Sequence, residues 1–288
     1  RSHRVAQVRD LLRLMRLDRP IGVWLLLWPT LWALWLPAGG VPSARLLLVF
    51  VVGTVVMRSA GCAINDLLDR NFDPHVRRTR DRPLAARHVS PYTAIALIGA
   101  LLAVALGLAL LLNVAALKLA FVGAALTLTY PLFKRFFPVP QLYLGLCFGW
   151  GVPMAFAATL GHVPRAGWVM LFAAVLWAGV YDTYYAMADR AEDTRIGVRS
   201  SAISFGDMDL PIIGGMQAMM LLALLLIGRS MQLGRWFHLG LAAGAVLLAS
   251  ELWTARTRER TDCMRAFQRS HWFGVAVLAG IALDFAVR

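Results

Sequence analysis

Charged residues are scarce in this sequence. They make up 16% of the 288 residues, whereas about a quarter is usual in soluble proteins, and 59% of the residues are hydrophobic, with a mean hydropathy of +0.64. An ordinary soluble domain is therefore excluded. Three cysteines, Cys62, Cys147 and Cys263, lie far apart and form no CxxC pair, which argues against a disulfide scaffold and a cysteine-held metal. Apolar runs such as residues 95–112 lack the alternation of β-barrel strands, which excludes that class too.

Nine apolar runs of membrane-span length predict an all-α, polytopic membrane protein. Charged residues, Pro and Gly bound these runs, and the predicted spans are residues 21–37, 44–67, 92–112, 114–133, 142–160, 166–187, 210–227, 235–253 and 267–286. Little other than Asn113 separates the third run from the fourth. If those two runs formed one helix, the number of spans would be eight.

Basic residues are distributed unequally about the predicted spans. With nine spans, 22 of the 29 Lys and Arg residues fall on one side of the membrane, six fall on the other, and Arg58 lies inside the second span. The positive-inside rule then predicts a cytoplasmic N-terminus and a C-terminus on the outer side. The preference for Arg over Lys and the abundance of Ala suggest a bacterial source, so the expected location is the bacterial inner membrane with a periplasmic C-terminus. Residues 1–20 are predicted to lie along the inner interface, and residues 21–288 to form one membrane domain. Membrane orientation explains most of the net charge of +13, so this charge does not indicate a nucleic acid partner, and none is expected.

Acidic residues are fewer still, and 7 of the 16 lie in two short stretches at the inner ends of the second and sixth spans. Helical spacing predicts that each stretch presents polar groups on one face: Asn65, Asp69 and Asp73 in the first, and Asp182, Asp189 and Asp193 in the second. Like charges so close together at membrane depth need a cation. Oxygen ligands without His or Cys predict Mg²⁺, which is often coordinated by substrate phosphates as well as by carboxylates. A solvated acidic helix end is the alternative for either stretch taken singly.

Three basic features have two interpretations each at this point. Arg58 lies two turns before Asn65, inside a span, so it needs either a bound anion or an acid on another helix. The loop of residues 77–82 (RRTRDR) either binds diphosphate through bidentate guanidinium groups or only orients the chain. Lys134 follows Tyr130 by four residues, and either belongs to a site or extends its side chain to the interface.

Four segments resemble the motifs of one protein family. They read GCAINDLLDRNFDP from Gly61, RTRDRPL from Arg78, GVPMAFAA from Gly151 and YDTYYAMADR from Tyr181. Over nearly its whole length the chain is similar to the UbiA superfamily of intramembrane aromatic prenyltransferases. The fourth segment is typical of the members that act on 4-hydroxybenzoate. The resemblance implies nine transmembrane helices around a central cavity.

The resemblance also implies roles for individual residues. Mg²⁺ that holds the diphosphate of a polyprenyl donor is expected on the acid-rich motifs, with ligands among Asn65, Asp66, Asp69, Asp73, Asp189 and Asp193. Direct substrate contacts are expected from Asn65, and phosphate contacts from Arg78, Arg82 and Lys134. Arg58 and Tyr130 are expected to receive the aromatic acceptor. Asp182 is a candidate for the base that removes the ring proton.

These implications define an expected reaction, in which a polyprenyl group moves from its diphosphate to C3 of 4-hydroxybenzoate in ubiquinone biosynthesis. Mg²⁺ and basic residues stabilise the departing diphosphate, and the electron-rich ring attacks the allylic cation. A dry, apolar cavity protects that cation from water. The active site is expected to open to the cytoplasm, and no obligate protein partner is expected.

Three alternatives stay open at this point. A sister prenyltransferase with another acceptor, such as homogentisate, dihydroxynaphthoate, haem or chlorophyllide, would share the first motif but is not expected to share the fourth. A CDP-alcohol phosphotransferase also uses intramembrane Asp and Mg²⁺, but its signature is absent from the sequence. A transporter would place buried charges along a permeation path, and the position of the acids at the inner end argues against it.

Overall fold

A computed structural model describes residues 2–71, 73–75, 79–133, 135–137, 139–197 and 199–288. This part of the chain forms α-helices, joined by short turns except for the longer connection of residues 69–90, and contains no β-strand. The helices are α1 (Ser2–Leu14), α2 (Ile21–Ala38), α3 (Ala44–Leu68), α4 (Pro91–Ala109), α5 (Val114–Phe133), α6 (Pro140–Gly149), α7 (Gly151–Leu160), α8 (Arg165–Ile196), α9 (Ser201–Phe205), α10 (Asp209–Ser230), α11 (Arg235–Ala255), α12 (Arg260–Arg269) and α13 (His271–Ala286). Two 3₁₀ turns cover Asp73–His75 and Gly206–Met208.

Eight helical segments in the described ranges are long and apolar enough to cross a membrane. They correspond to the first eight predicted spans. At the position of the ninth, α13 has 16 residues, which is shorter than the others. The prediction of an all-α membrane protein is confirmed, whereas a total of nine spans stays a prediction.

The boundary between the third and fourth spans lies at Asn113. α4 ends at Ala109 and α5 begins at Val114, so the alternative of one merged helix is wrong. The Asn113 side chain caps α5 by accepting a hydrogen bond from the backbone N–H of Ala116 at 2.9 Å. Its amide also donates to the carbonyl oxygen of Ala157 at 2.7 Å. Asn suits this position because its side chain satisfies an N–H group that has no partner within the helix.

Two predicted spans differ from the observed helices. The fifth is divided at Trp150 into α6 and α7, and the Trp150 indole N–H donates to the carbonyl oxygen of Leu119 at 2.8 Å. Glycines on both sides of Trp150 weaken the helix there. The sixth continues far beyond the predicted end at residue 187, because nothing interrupts α8 before the left-handed Gly197 (φ 72°).

Three aromatic side chains form the centre of the bundle where α2, α8 and α13 meet. Trp32 stacks on Trp177 with 5.5 Å between ring centroids, and Phe273 meets the two rings edge-on at 6.0 and 5.4 Å. All three are fully buried, and the Trp32 indole N–H donates to the carbonyl oxygen of Gly274 at 3.0 Å. By contrast, α4 and α5 bury few of their residues, as lipid-facing helices do.

One ion-pair cluster joins α8, α10 and the segment after α11. Asp209, the first residue of α10, is fully buried and accepts hydrogen bonds from Arg190 of α8 and from Arg258. The distance from Arg258 Nη2 to Asp209 Oδ1 is 2.9 Å. A buried carboxylate with two guanidinium partners stabilises the fold mainly because losing it leaves both cations unpaired.

Replacing Asp209 with Asn is expected to destabilise the folded protein by about 2 kcal/mol, since both partly exposed arginines lose their charge-assisted hydrogen bonds to the carboxylate. In a thermal unfolding measurement in detergent, Asp209→Asn should lower Tm by about 5 °C. The matched control is Asp262→Asn, because Asp262 pairs at 3.0 Å with the exposed Arg265 and such pairs contribute about 0–1 kcal/mol. Equal Tm values for the two variants would contradict the structural role of Asp209.

Candidate active site

The first acid-rich motif covers the end of α3 and the turn after it. α3 ends at Leu68, so Asp69 is the C-cap and Asp73 begins a 3₁₀ turn. The prediction that Asn65, Asp69 and Asp73 share one face of a continuous helix is therefore wrong, because short polar side chains compete with the helix for backbone groups. Backbone hydrogen bonds from Asp69 to Asn65 (3.0 Å) and from Asp73 to Asp69 (2.8 Å) still keep the three residues one turn apart.

Arginine side chains surround the buried carboxylates of this motif. Asp66 Oδ1 accepts hydrogen bonds from Arg16 Nη2 and Arg82 Nη1, each at 3.0 Å. Arg82 also donates to Asp73 Oδ2 at 2.9 Å. Burial raises the pKa of Asp73, while the charge of Arg82 opposes this rise and the nearby Asp66 adds to it. Arg82, which the resemblance places on the phosphates, therefore lies inside the acidic cluster.

The second acid-rich motif lies entirely on α8. Asp189 and Asp193 are buried, and Asp182, two turns before Asp189, is half-buried. The guanidinium of Arg260, the first residue of α12, lies 3.5 Å from Asp189 Oδ1. Because α8 is unbroken here, the prediction that these acids share one helix face agrees with the structure. Each acid-rich motif thus has a basic side chain beside it.

Tyr130 of α5 interacts with residues of both acid-rich motifs. Its hydroxyl interacts electrostatically with Asp182 on α8 and with Arg58 and Asp69 on and after α3. α3, α5 and α8 therefore bring together side chains to which the family resemblance gives roles in acceptor binding, proton removal and metal binding. Tyr143 of α6 stacks on Tyr130 with 6.3 Å between ring centroids, which adds an aromatic wall.

Arg58 is half-buried in the middle of α3. Among the residues that the structure describes, it has no hydrogen-bond or ion-pair partner, so the alternative of a salt bridge to an acid on another helix finds no support. Its guanidinium carbon lies 5.4 Å from the centroid of the Phe148 ring. A cation–π contact of this kind offsets only part of the cost of an arginine inside a span, so Arg58 still needs an anion.

The acid-rich end contains the oxygen donors that Mg²⁺ requires. No three His, Cys, Asp or Glu side chains in the described segments form a ready-made metal cage. However, Asp66 Oδ2 is buried without a hydrogen-bond partner among the described residues, and Asp69, Asp73, Asp189 and Asp193 are buried around the same end. Mg²⁺ keeps several waters and binds through one or two carboxylates together with substrate phosphates, so these residues fit it.

Two residues expected on the phosphates, Arg78 and Lys134, lie outside the described residues. Sequence reasoning also missed three close neighbours of the site. Arg135, which lies 3.5 Å from Asp69, follows Lys134 directly in the sequence, and that position is the signal that could have found it. Arg260 and Phe148 gave no such signal, because their partners are distant in sequence.

The fold and this site define an intramembrane prenyltransferase. The chain belongs to the UbiA prenyltransferase family, whose family model matches residues 26–274. Similar curated proteins include the 4-hydroxybenzoate octaprenyltransferases of Stutzerimonas stutzeri, 50% identical over 97% of this chain and 94% of the relative, and of Coxiella burnetii, 47% identical over 97% of each. The family inferred from the four motifs is confirmed.

Solved structures of the family share the fold. The apo structure of a UbiA homolog from Aeropyrum pernix K1 has a TM-score of 0.78 at 27% identity and covers 91% of this chain and 97% of its own. A UbiA homolog from Archaeoglobus fulgidus, solved with GPP and Mg²⁺, has a TM-score of 0.67 at 19% identity and covers 95% of this chain and 99% of its own. At that identity the second likeness shows the fold alone.

Proposed function

We propose that the chain transfers a polyprenyl group from its diphosphate to C3 of 4-hydroxybenzoate. The observation that carries this proposal is Arg58, a half-buried cation without an ion-pair partner among the described residues, beside Tyr130 and the acid-rich motifs. The carboxylate of 4-hydroxybenzoate is the anion that this position needs. The names of relatives at 47–50% identity support the same acceptor.

The acid-rich end would bind the diphosphate. Bound Mg²⁺ would supply the positive charge that stabilises the departing diphosphate, as the A. fulgidus homolog with GPP and Mg²⁺ supports. The residues proposed to hold it are Asn65, Asp66, Asp69, Asp73, Asp189 and Asp193. Arg82, within 3.0 Å of Asp66 and Asp73, would exchange one carboxylate partner for a phosphate oxygen. Arg78 and Lys134 are proposed to contact the phosphates too.

The acceptor would lie between Arg58 and Tyr130. Arg58 would bind the carboxylate, and Tyr130 would contact the aromatic ring or its hydroxyl group. Asp182 of α8 interacts electrostatically with Tyr130 of α5 and is half-buried. We assign to Asp182 the removal of the ring proton.

The proposed reaction exchanges one bond for another. The C1–O bond of the polyprenyl diphosphate breaks, and its electron pair leaves with the diphosphate. Ring carbon C3, ortho to the hydroxyl, then donates an electron pair to prenyl C1 and forms the new C–C bond. The proton on C3 leaves to the base, which restores the aromatic ring. The residues proposed to neutralise the diphosphate and the carboxylate would thus hold the two substrates by their charged groups, on opposite sides of the reacting carbon atoms.

The proposed location follows the charge distribution. We place the active site at the cytoplasmic face, because the basic residues concentrate at that end of the bundle. α1 leaves Val8 and Leu12 exposed, 57% and 41%, beside arginines, as a helix lying in the membrane interface does. Residues 21–288 would form the single membrane domain that carries the site, and its product would enter ubiquinone biosynthesis.

Metal removal tests the proposed chemistry. Purified protein given 4-hydroxybenzoate and a series of prenyl diphosphates should form prenylated product with Mg²⁺, lose at least about 99% of its activity in EDTA, and recover when Mg²⁺ is restored, because unassisted diphosphate is a poor leaving group. Product yield by liquid chromatography and mass spectrometry measures the effect. Full activity in EDTA would contradict the metal assignment.

An acceptor panel in the same assay separates the proposal from its alternatives. Homogentisate and dihydroxynaphthoate should give less than about a tenth of the product formed with 4-hydroxybenzoate, because Arg58 and Tyr130 are proposed to hold a carboxylate para to a hydroxyl. Homogentisate carries its carboxylate on a methylene group, and dihydroxynaphthoate carries its carboxylate ortho to a hydroxyl. A higher yield from either would assign the chain to a sister prenyltransferase. No product from any pair of substrates would contradict the proposed function.

A further inference from the structure

Gly22 lies where the Arg58 side chain reaches α2. Gly22 is buried in the first turn of α2, and Arg58 extends from α3 across to it. A Cβ atom added at Gly22 would stand 2.5 Å from Nε of Arg58, 2.6 Å from Nη2 and 2.9 Å from the guanidinium carbon. These distances are far shorter than a carbon–nitrogen contact, which needs about 3.5 Å. The guanidinium therefore occupies the space that any side chain at position 22 would take.

The Phe148 ring is another neighbour of the guanidinium. The ring centroid lies 5.4 Å from the guanidinium carbon. The planar group is thus bounded by the α2 backbone and by an aromatic ring. Two boundaries of this kind restrict how the plane can turn, and a guanidinium binds a carboxylate best through two parallel N–H donors in that plane.

The first turn of α2 adds a second attraction for an anion. The N–H groups at the start of a helix precede its first i→i−4 hydrogen bond and carry a partial positive charge. In α2 the N–H of Val23 donates to the carbonyl oxygen of Pro20 at 2.9 Å. This charge therefore lies mainly on the N–H groups of Ile21 and Gly22. Next to them, a bare guanidinium is unfavourably placed. A carboxylate bound to Arg58 at this point would interact favourably with both.

We propose that Gly22 is a positioning residue for the acceptor, and that its missing side chain sets where the Arg58 guanidinium binds the benzoate carboxylate. This inference rests on the proposed function. A substituent at position 22 would move the guanidinium by about 1 Å to relieve the overlap, and displacements of that size misplace a bound substrate. Position 22 would then determine how well an acceptor with a carboxylate para to its hydroxyl fits.

The smallest test is Gly22→Ala. The overlapping atoms belong to the mobile end of a long side chain, so the fold accommodates the methyl group, and Ala favours a helix more than Gly does. Gly53→Ala on α3 is the matched control, because a Cβ at Gly53 meets no atom within 4 Å. Both variants should therefore fold and keep the Tm of the parent protein.

Steady-state kinetics with purified protein, 4-hydroxybenzoate and a prenyl diphosphate measure the effect. Gly22→Ala should raise the KM for 4-hydroxybenzoate about 10-fold while kcat and the KM for prenyl diphosphate change less than about twofold. Gly53→Ala should leave all three unchanged. A merely structural role for Gly22 would lower kcat or raise both KM values together, and that result would overturn the inference.

A double variant separates this inference from the proposed function. If Gly22 acts through Arg58, adding Gly22→Ala to Arg58→Ala should cause no further loss. If Arg58→Ala raises the acceptor KM but Gly22→Ala behaves like Gly53→Ala, the positioning role is wrong and the proposed function stands. If Arg58→Ala leaves the acceptor KM unchanged, the proposed contact between Arg58 and the carboxylate is wrong, and the inference is wrong with it.

Discussion

Asp69→Asn is expected to reduce kcat for prenyl transfer by about 1000-fold while the protein stays folded. Asp69 is a buried carboxylate at the end of α3, near Asp73, and it interacts electrostatically with Tyr130. Asn has the same shape but lacks the charge that is proposed to hold Mg²⁺, and loss of metal-assisted stabilisation of the diphosphate would raise the barrier by several kcal/mol. Single-turnover rates with saturating substrates measure this directly.

The matched control for Asp69 is Asp81→Asn in the same inner region of the chain. The Asp81 side chain is 80% exposed, so the same change of charge is made in solvent and should leave kcat within about twofold. Tm in detergent should not fall for Asp69→Asn, because the variant removes one of several like charges and its 3.5 Å partner Arg135 is largely exposed. Activity within tenfold of the parent would contradict the assignment of Asp69 to the metal site.

Arg58→Ala is expected to raise the KM for 4-hydroxybenzoate about 100-fold. A charge-assisted bond to the carboxylate contributes about 1.5–3 kcal/mol, and truncation removes it together with the cation that required an anion. The KM for prenyl diphosphate should change less than threefold, since the diphosphate is proposed to bind at the acid-rich motifs rather than at Arg58. Arg45→Ala, at the opposite end of α3, is the control and should leave both KM values unchanged.

Phenol, an acceptor without the carboxylate, sharpens the test of Arg58. The parent protein should prefer 4-hydroxybenzoate to phenol in kcat/KM, and Arg58→Ala should remove most of that preference by lowering only the value for 4-hydroxybenzoate. An equal loss for both acceptors would mean that Arg58 supports the fold or the diphosphate rather than the carboxylate.

Much of the fold was predictable because membrane spans impose simple rules on sequence. Apolar length set the positions of the first eight spans, and the single polar residue Asn113 marked the turn between α4 and α5. The break at Trp150 was not predictable, since an apolar run reads the same whether one helix or two short helices cross it. Hydropathy placed the end of the sixth span at residue 187 because it reports membrane depth, whereas the spacing of Asp182, Asp189 and Asp193 indicated that the helix continues.

The residues of the site were predictable from the sequence, but the contacts between them were not. Scarce acids in a membrane protein indicated the two motifs, and the isolated Arg58 indicated an anion. Helical periodicity then failed at Asp69 and Asp73, where α3 had already ended. The contacts of Asp66 with Arg16, 50 residues away, depend on how the chain packs, and no spacing rule in one sequence reports them.

The proposed C–C bond at C3 of 4-hydroxybenzoate can be tested directly with an acceptor that carries deuterium at C3 and C5 of the ring. Purified protein is given this acceptor, a prenyl diphosphate and Mg²⁺, and the product is analysed by mass spectrometry. We expect a product with one ring deuterium atom and a free carboxylate, because the deuteron on C3 leaves when the ring regains aromaticity. A product with two ring deuterium atoms, as in an ether, an ester or a product substituted at C2, or no product at all, would contradict the proposed reaction.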